Sequence, residues 1–236
     1  MSIKNIAIFG FKDALVGQFL NLLSKKVKKN LKCIILQKKN KNNLNNNTKK
    51  TDFSSKKEII QKNKIYNLPI FYTKNFVEIL KVKNIKSVYI LEDDKFLRSK
   101  IYFEIKKKLK KIKILNFISN KSYLAGKNKV GEGTIIFPFN YISYKTEIGN
   151  CTIIQSGCII EHHNHIGNFC NVNPRLATGG FTRIEDFCEI KMSVDIINKL
   201  IIKERTTIGA GSLVLKNTVP SSLYFGRPAK YQIDKN

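Results

Sequence analysis

A large aliphatic residue recurs at every sixth position through the second half of the chain. Fourteen of fifteen such positions are Ile or Val, and the exception is Thr178. The fifteen positions are Val130, Ile136, Ile142, Ile148, Ile154, Ile160, Ile166, Val172, Thr178, Ile184, Ile190, Ile196, Ile202, Ile208 and Val214. Helices repeat every 3.6 residues and strands every two, so neither element explains this pattern. A fixed period of six is typical of a solenoid of short strands.

Small residues stand four positions after each aliphatic one. Eleven of those fifteen residues are Thr, Ser, Cys or Val, among them Cys158, Cys170 and Cys188. We expect the large residue to fill a triangular prism and the small one to let the chain turn, with eighteen residues per coil. The range Val130–Val219 therefore predicts a left-handed parallel β-helix of five coils, in which the three cysteines are structural.

Glycines directly follow five of the aliphatic positions. They are Gly131, Gly149, Gly167, Gly179 and Gly209. We expect each one at a turn, where the chain needs a backbone conformation that residues with a side chain resist.

The first 119 residues alternate short apolar runs with amphipathic segments. We expect strands at Asn5–Gly10, Leu31–Gln37, Ser87–Leu91 and Ile112–Ile118, and helices at Ala14–Lys28, Asn75–Val82 and Lys95–Lys111. This alternation predicts a small parallel sheet of Rossmann type. The Lys- and Asn-rich stretch Lys38–Lys57 predicts a mobile loop. The chain thus divides into an α/β domain over residues 1–119 and a β-helix domain over residues 120–236.

A formal net charge of +26 is typical of proteins that bind nucleic acid. However, Lys and Asn are spread along the whole chain, which is typical of drift in an AT-rich genome, so we do not expect nucleic-acid binding. The charge would instead attract anionic substrates. The five cysteines form no CxxC pair, and we find no signal peptide and no membrane-spanning run. We therefore expect a cytoplasmic protein with reduced thiols.

All three histidines lie in one segment, Glu161–His165. Register directs Ile160 and Asn164 inward, so His162, His163 and His165 can face outward at one corner. A histidine can take a proton from an amine or hydroxyl that attacks a thioester. Because the histidines lie within four residues and no Cys or acidic cluster completes a tetrahedral set, we expect no metal.

Gly179 and Gly180 follow the irregular Thr178, and Gly180 comes eighteen residues, or one coil, after His162. A polar residue and two glycines suggest that a ligand approaches bare backbone there, and the Gly180 N–H could hold a thioester oxyanion. The alternative is that the glycines accommodate a corner and the histidines are surface residues. In the first domain, the turn after Gly10 lacks a full GxGxxG, so we do not expect dinucleotide binding.

The chain resembles the bacterial sugar acyltransferases that include the sialic-acid O-acetyltransferases and the UDP-4-amino-sugar N-acetyltransferases of bacillosamine synthesis. The resemblance covers most of the chain and rests on the strand ending at Gly10 and on Leu91–Tyr102, Lys129–Pro138, Cys158–Pro174, Ala177–Ile190 and Thr207–Lys230.

This resemblance implies a homotrimer that transfers acetyl groups from acetyl-CoA to a nucleotide-linked amino sugar for surface glycans. It implies that His162 is the general base, with His163 beside it in the catalytic site. The coenzyme A site would comprise Gly180, Gly179, Asn171, Gly209, Ala210, Arg227 and Lys230, and the sugar-nucleotide site would comprise Gly10, Asp93 and Gln155.

Four departures from the family pattern stand in this chain. His163 replaces an acidic residue after the base, Asn171 replaces a second histidine, Glu92 replaces the glycine before Asp93, and the nucleotide loop keeps only Gly10. Two alternatives therefore stay open beside amino-sugar N-acetylation. One is O-acetylation of a sialic-acid-like sugar, and the other is a non-catalytic trimeric scaffold or sugar-nucleotide binder.

Overall fold

The computed structural model describes residues 4–10, 13–37, 64–65, 67–73 and 75–232. The predicted loop Lys38–Lys57 lies outside the described residues. Contacts between Cα atoms divide the chain into two compact units. The first comprises Met1–Asp93 and Ile101–Ile114, and the second comprises Asp94–Lys100 and Leu115–Asn236.

The first unit contains a six-stranded sheet with the order β3-β4-β2-β1-β5-β6. Its strands are β1 Ile6–Phe9, β2 Leu31–Gln37, β3 Lys64–Ile65, β4 Leu68–Thr73, β5 Ser87–Ile90 and β6 Lys113–Ile114. Its helices are α1 Asp13–Leu22, α2 Lys25–Lys29, α3 Phe76–Val82 and the later part of α4 Lys95–Lys108. All neighbouring strands pair in parallel except β3, which is antiparallel to β4. Central strands β1 and β5 are fully buried, as expected of near-continuous apolar runs.

Three predicted elements of this unit need correction. The single helix Ala14–Lys28 is two helices, because the Ser24 hydroxyl accepts a hydrogen bond from Val27 N at 3.3 Å and starts α2. Strand β4 was not predicted. Its Pro69 pairs only with the short edge strand β3, and pairing with β2 begins at Ile70, so proline is tolerated there. The predicted strand Ile112–Ile118 is divided, and only its first part, β6, pairs with this sheet.

The second unit is a prism of two- and three-residue strands. They are β7 Phe117–Ile118, β8 Tyr123–Leu124, β9 Lys129–Val130, β10 Ile135–Ile136, β11 Tyr141–Ile142, β12 Glu147–Ile148, β13 Ile153–Ile154, β14 Ile159–Ile160, β15 His165–Ile166, β16 Asn171–Val172, β17 Ala177–Thr178, β18 Arg183–Ile184, β19 Glu189–Ile190, β20 Asp195–Ile196, β21 Ile201–Ile202, β22 Thr207–Ile208, β23 Leu213–Val214, β24 Leu223–Phe225 and β25 Lys230–Gln232.

These strands form three faces. The first face runs β7-β10-β13-β16-β19-β22-β24, with β25 antiparallel at its end; the second runs β8-β11-β14-β17-β20-β23; the third runs β9-β12-β15-β18-β21. Paired residues are eighteen apart, as with Ile136 and Ile154. The three parallel faces fit the predicted left-handed β-helix. The prism begins at Phe117, earlier than the predicted Val130, and the predicted boundary between residues 119 and 120 falls after β7.

The interior follows the predicted register. Ile136, Ile154 and Ile190 are fully buried, and each such side chain contributes about 2 kcal/mol of hydrophobic stabilisation. The small positions are buried too, and their polar atoms bind carbonyls one coil further on. Thr152 donates to Gly167 O at 2.7 Å, and Cys188 Sγ donates to Lys203 O at 3.0 Å. The predicted structural role of the inward cysteines is therefore supported by their contacts.

The explanation for the glycines after the aliphatic positions was wrong. Gly131 has no positive φ, whereas the left-handed conformation falls two residues later in each repeat, as at Phe139 (65°), His163 (57°) and Phe181 (60°). A Cβ on Gly131 would lie 2.6 Å from the backbone nitrogen of Asn150. These glycines therefore allow successive coils to approach each other closely.

Candidate active site

The histidine corner lies between the second and third faces and comprises residues 161–164 and, one coil on, residues 179–182. It follows strand β14 in one coil and β17 in the next. Ile160 and Asn164 are buried, while His162 and His163 are exposed. The turn between β14 and β15 thus directs both imidazoles outward, as the register predicts.

The ring of His162 lies directly over Gly180. A Cβ built on Gly180 would stand 2.6 Å from Cε1 and 2.9 Å from Nε2 of that ring. The backbone holds the two coils together here, because Phe181 N donates to His162 O at 3.0 Å. The structure therefore brings this predicted pair together, and Gly180 lacks a side chain where the imidazole packs.

Only one ring nitrogen of His162 contacts another side chain. Its Nδ1 lies 3.1 Å from Nδ1 of His163. Within the described part of the chain, Nε2 has no hydrogen-bond partner. His163 in turn stacks on Phe181, with ring centroids 4.8 Å apart and planes 11° apart. Nε2 of His162 is thus the nitrogen that is left for a substrate.

The N–H of Gly180 has no acceptor among the residues that the structure describes. At the corner between the third and first faces, three N–H groups in the same register position are bound by a side chain one coil further on. Glu132 N donates to Asn150 Oδ1 at 2.8 Å, and Asn168 N donates to Asp186 Oδ1 at 2.7 Å. A half-buried N–H without such a cap is available to an oxyanion.

Thr178 has an internal explanation. Its hydroxyl accepts hydrogen bonds from Asn164 Nδ2 at 2.6 Å and from Glu161 N at 3.2 Å, inside the prism. Asn164 Oδ1 accepts from Thr182 N at 2.6 Å. Thr178 is therefore polar because it satisfies the buried amide that fixes the histidine corner, and ligand approach to the backbone of Gly179 and Gly180 stays a prediction.

Of the other residues predicted for the coenzyme A site, only Gly179 belongs to this corner. Gly179 packs closely against the next coil, since a Cβ built on it would lie 2.4 Å from Asn198 N. Asn171 lies on the first face, opposite the histidine corner, and is nearly buried.

A second group from the same prediction gathers at the last coils, between the first and second faces. Gly209 and exposed Ala210 follow β22, and a Cβ on Gly209 would meet Phe225 Cβ at 2.6 Å. The guanidinium of Arg227 donates to Asp195 Oδ2 at 2.9 Å, and Lys230 is exposed at the start of β25. The second face lies between this group and the histidine corner.

The predicted sugar-nucleotide residues are divided between the units. Gly10 directly follows β1 and has a φ of +90°. A Cβ built on it would lie 2.6 Å from both N and Cα of Glu92. Asp93 follows β5, which pairs with β1 in parallel, so Gly10 and Asp93 share one edge of the sheet. Gln155 belongs to the second unit and follows β13.

Arg98 was missed by the sequence analysis. Its side chain is fully buried, and Nε donates to Cys151 O at 2.7 Å. Nη2 donates to the carbonyl oxygens of Phe169 and Cys170, both at 3.1 Å, and to Asn171 Oδ1 at 2.7 Å. The helix looked basic and amphipathic, so nothing in the pattern distinguished this cation from its exposed neighbours. Asn171 therefore orients a structural arginine in this protein.

Burial changes the chemistry of the thiols. It raises the pKa of Cys151 to about 12 and that of Cys158 to about 11. The pKa of the Cys170 thiol is also raised by burial. These thiols stay protonated at neutral pH and are poor nucleophiles. Among the described residues, no three His, Cys, Asp or Glu side chains form a group that could hold a metal ion, and no helix is long and apolar enough to span a membrane.

No family model and no curated protein sequence matches this chain. Among solved structures, PerB from Caulobacter crescentus in complex with CoA and GDP-perosamine is similar, with 18% identity, 98% coverage of each chain and a TM-score of 0.78. The acetyltransferase domain of PglB from Neisseria gonorrhoeae in complex with acetyl coenzyme A is 13% identical over 97% of this chain and 100% of that chain, with a TM-score of 0.73. At these identities the comparison establishes the fold over almost the whole chain.

Proposed function

We propose that this protein is an acetyl-CoA-dependent N-acetyltransferase that acts on an amino sugar linked to a nucleotide. One observation carries the proposal: a histidine with a free Nε2 lies over an uncapped N–H one coil further on. Acyl transfer from a thioester to an amine needs a proton acceptor and an oxyanion donor side by side. The shared fold with proteins solved with CoA and GDP-perosamine supports this choice of substrates.

In the proposed reaction, the neutral amine of the sugar attacks the thioester carbonyl. Nε2 of His162 takes a proton from the attacking nitrogen, and the N–H of Gly180 donates to the carbonyl oxygen as negative charge develops. The tetrahedral intermediate then expels the thiolate of coenzyme A. The protonated imidazole returns its proton to that thiolate, so the products are the N-acetyl sugar and free coenzyme A.

Coenzyme A fits across the second face. Strands β17, β20 and β23 of this face connect the coil of Gly180 with the group at the last coils. We assign the pantetheine to these strands and the phosphates to the cations Arg227 and Lys230, with Gly209 and Ala210 beside them. The thioester would then lie at Gly180, where the bare backbone faces His162.

We assign the sugar nucleotide to the first unit, as a Rossmann-like domain. Two observations support this assignment. Ligands of parallel α/β sheets bind at the carboxyl ends of the strands, and Gly10 and Asp93 share that edge. The close approach of Gly10 to the backbone of Glu92 requires a residue without a side chain directly after β1. The role of Gln155 in substrate binding stays a prediction from the sequence.

We propose that the protein is a homotrimer in the cytoplasm, where acetyl-CoA is supplied. The support for association is an exposed apolar row on the second face, in which Tyr123 stacks on Tyr141 and Ile159 follows one coil later. Light scattering coupled to gel filtration tests the trimer. We expect a mass three times the 27.1 kDa of one chain, and a mass of one chain would refute this part of the proposal.

The substrate class is tested with a panel of UDP-, GDP- and CMP-linked amino sugars, with acetyl-CoA as donor. We expect thiol release with at least one of them, and mass spectrometry should find one added acetyl group on the sugar. The matched 4-hydroxy sugar on the same nucleotide is the control. Release with the hydroxy sugar alone would favour O-acetylation, and coenzyme A binding without release on any sugar would favour the scaffold.

A further inference from the structure

We propose that His163 is a positioning residue that fixes the proton of His162 on Nδ1 and so leaves Nε2 of His162 unprotonated. The inference rests on the proposed function, in which His162 is the base, and it assigns the orienting role that an acidic residue would otherwise have. The carrying observation is the 3.1 Å contact between the two Nδ1 atoms.

The contact leaves two arrangements of protons. Two ring nitrogens at hydrogen-bond distance need one donor and one acceptor. If His163 donates, neutral His162 carries its own proton on Nε2 and cannot accept another from the substrate there. If His162 donates from Nδ1, its Nε2 keeps a lone pair beside Gly180. Only the second arrangement produces a base, and it requires a neutral His163 that accepts through Nδ1 and is protonated on Nε2.

His163 is held firmly enough to impose this arrangement. Its backbone is in the left-handed region with a φ of 57°, and its N–H donates to Tyr144 O at 2.9 Å. One face of the His163 ring stacks on Phe181. The ring of Tyr144 lies edge-on to it, with the ring centroids 6.0 Å apart. Neighbouring aromatic rings on two coils thus fix the plane in which Nδ1 points at His162.

A neutral acceptor differs from a carboxylate in a way that can be measured. A carboxylate at this position would stabilise the imidazolium of His162, whereas neutral His163 orients without adding charge. Protonation of His163 would also remove the acceptor and stop the base from forming. A groove of about 470 Å³ contains His163 and the charged or titratable groups that bear on this equilibrium, which are Lys127, Lys129, Lys145, Glu147, His165 and Arg183. Glu161, directly before His162 in the chain, bears on it too.

Three substitutions separate orientation from stacking. His163→Phe keeps the stack on Phe181 and removes the nitrogen, so we expect kcat to fall about 10- to 100-fold with the KM for acetyl-CoA unchanged. His163→Asn can still accept through its amide oxygen and should recover most of that loss. His163→Asp adds a negative charge, so the acidic limb of the kcat/KM profile should move to higher pH. Full activity of His163→Phe would overturn the proposal.

A second measurement needs no activity. The chain has only three histidines, so magic-angle-spinning NMR of ¹⁵N-histidine-labelled protein can assign every ring nitrogen by substituting each histidine in turn. We expect His162 to be protonated on Nδ1 and His163 on Nε2 at neutral pH, and His162 to lose that preference in His163→Phe. Finding His162 protonated on Nε2 in the unsubstituted protein would refute the inference. An inactive protein with the expected protonation would instead refute the proposed function.

Discussion

Gly180→Ala separates catalysis from folding more cleanly than any other change in this protein. The added methyl would stand 2.6 Å from Cε1 and 2.9 Å from Nε2 of His162, where ordinary contacts are 3.4–4 Å. The exposed imidazole must therefore retreat by about 1 Å or rotate away, which is easier than moving the backbone. Gly180 has no positive φ, so alanine can adopt its backbone conformation.

The size of the effect follows from that displacement. Misplacing a catalytic group by about 1 Å can reduce the rate about 100-fold. This corresponds to about 2.7 kcal/mol of lost transition-state stabilisation. We expect Gly180→Ala to lower kcat/KM by at least that factor, while the melting temperature stays within a few degrees of the original.

Two matched substitutions complete this test. Gly126→Ala meets no atom within 4 Å and should change neither activity nor stability. Gly179→Ala would place a methyl 2.4 Å from Asn198 N, a backbone atom of the next coil, and should lower the melting temperature. The assays are steady-state kinetics of coenzyme A release and thermal unfolding. Undiminished activity of Gly180→Ala, or destabilisation equal to that of Gly179→Ala, would refute the reasoning.

Four further predictions concern stability and thiol reactivity. Arg98→Leu removes four buried hydrogen bonds and should lower the free energy of unfolding by about 3 kcal/mol or more, as measured in urea. Thr178→Val removes the acceptor for Asn164 Nδ2 and should cost about 1–3 kcal/mol while reducing activity, because the histidine corner loosens. The five cysteines are buried, so a thiol reagent should label none in the native protein at pH 8 and all five in denaturant. Since burial raises the pKa of Cys151 from 9.0 to about 12 and that of Cys158 from 9.0 to about 11, stability should fall as the pH rises above 9, where only the unfolded thiols ionise.

The architecture of the second unit could be predicted because each six-residue repeat contains the large and the small residue that its own strand and turn require. An aliphatic residue every sixth position and a small one four residues later determine the interior, whatever the rest of the chain does. The same register placed His162 one coil before Gly180 and outside the prism, and the structure has both features. Periodicity is thus sufficient to locate a corner and the coil in which it lies.

Some residues depart from the six-residue pattern because of contacts with another coil, and these contacts could not be predicted. Thr178 is polar because Asn164, in the preceding coil, needs a partner. Arg98 is buried because carbonyl oxygens of two coils converge on it, and its helix gives no sign of that. The glycines after the aliphatic positions are required by the close approach of the next coil, which depends on the stacking distance and not on the local turn. Each of these causes lies at least fourteen residues away in sequence.

The central claim is that His162 is the base of an acetyl transfer. Its most direct test compares coenzyme A release by His162→Ala and His165→Ala, with an accepted nucleotide-linked amino sugar and both variants checked for an unchanged oligomeric state. The account predicts that His162→Ala loses at least about 100-fold in kcat, and that raising the pH recovers part of that loss as the substrate amine loses its proton without help. It predicts that His165→Ala, on the third face beside Glu147, stays close to the unsubstituted protein. Equal activity of His162→Ala and the unsubstituted protein would contradict the account.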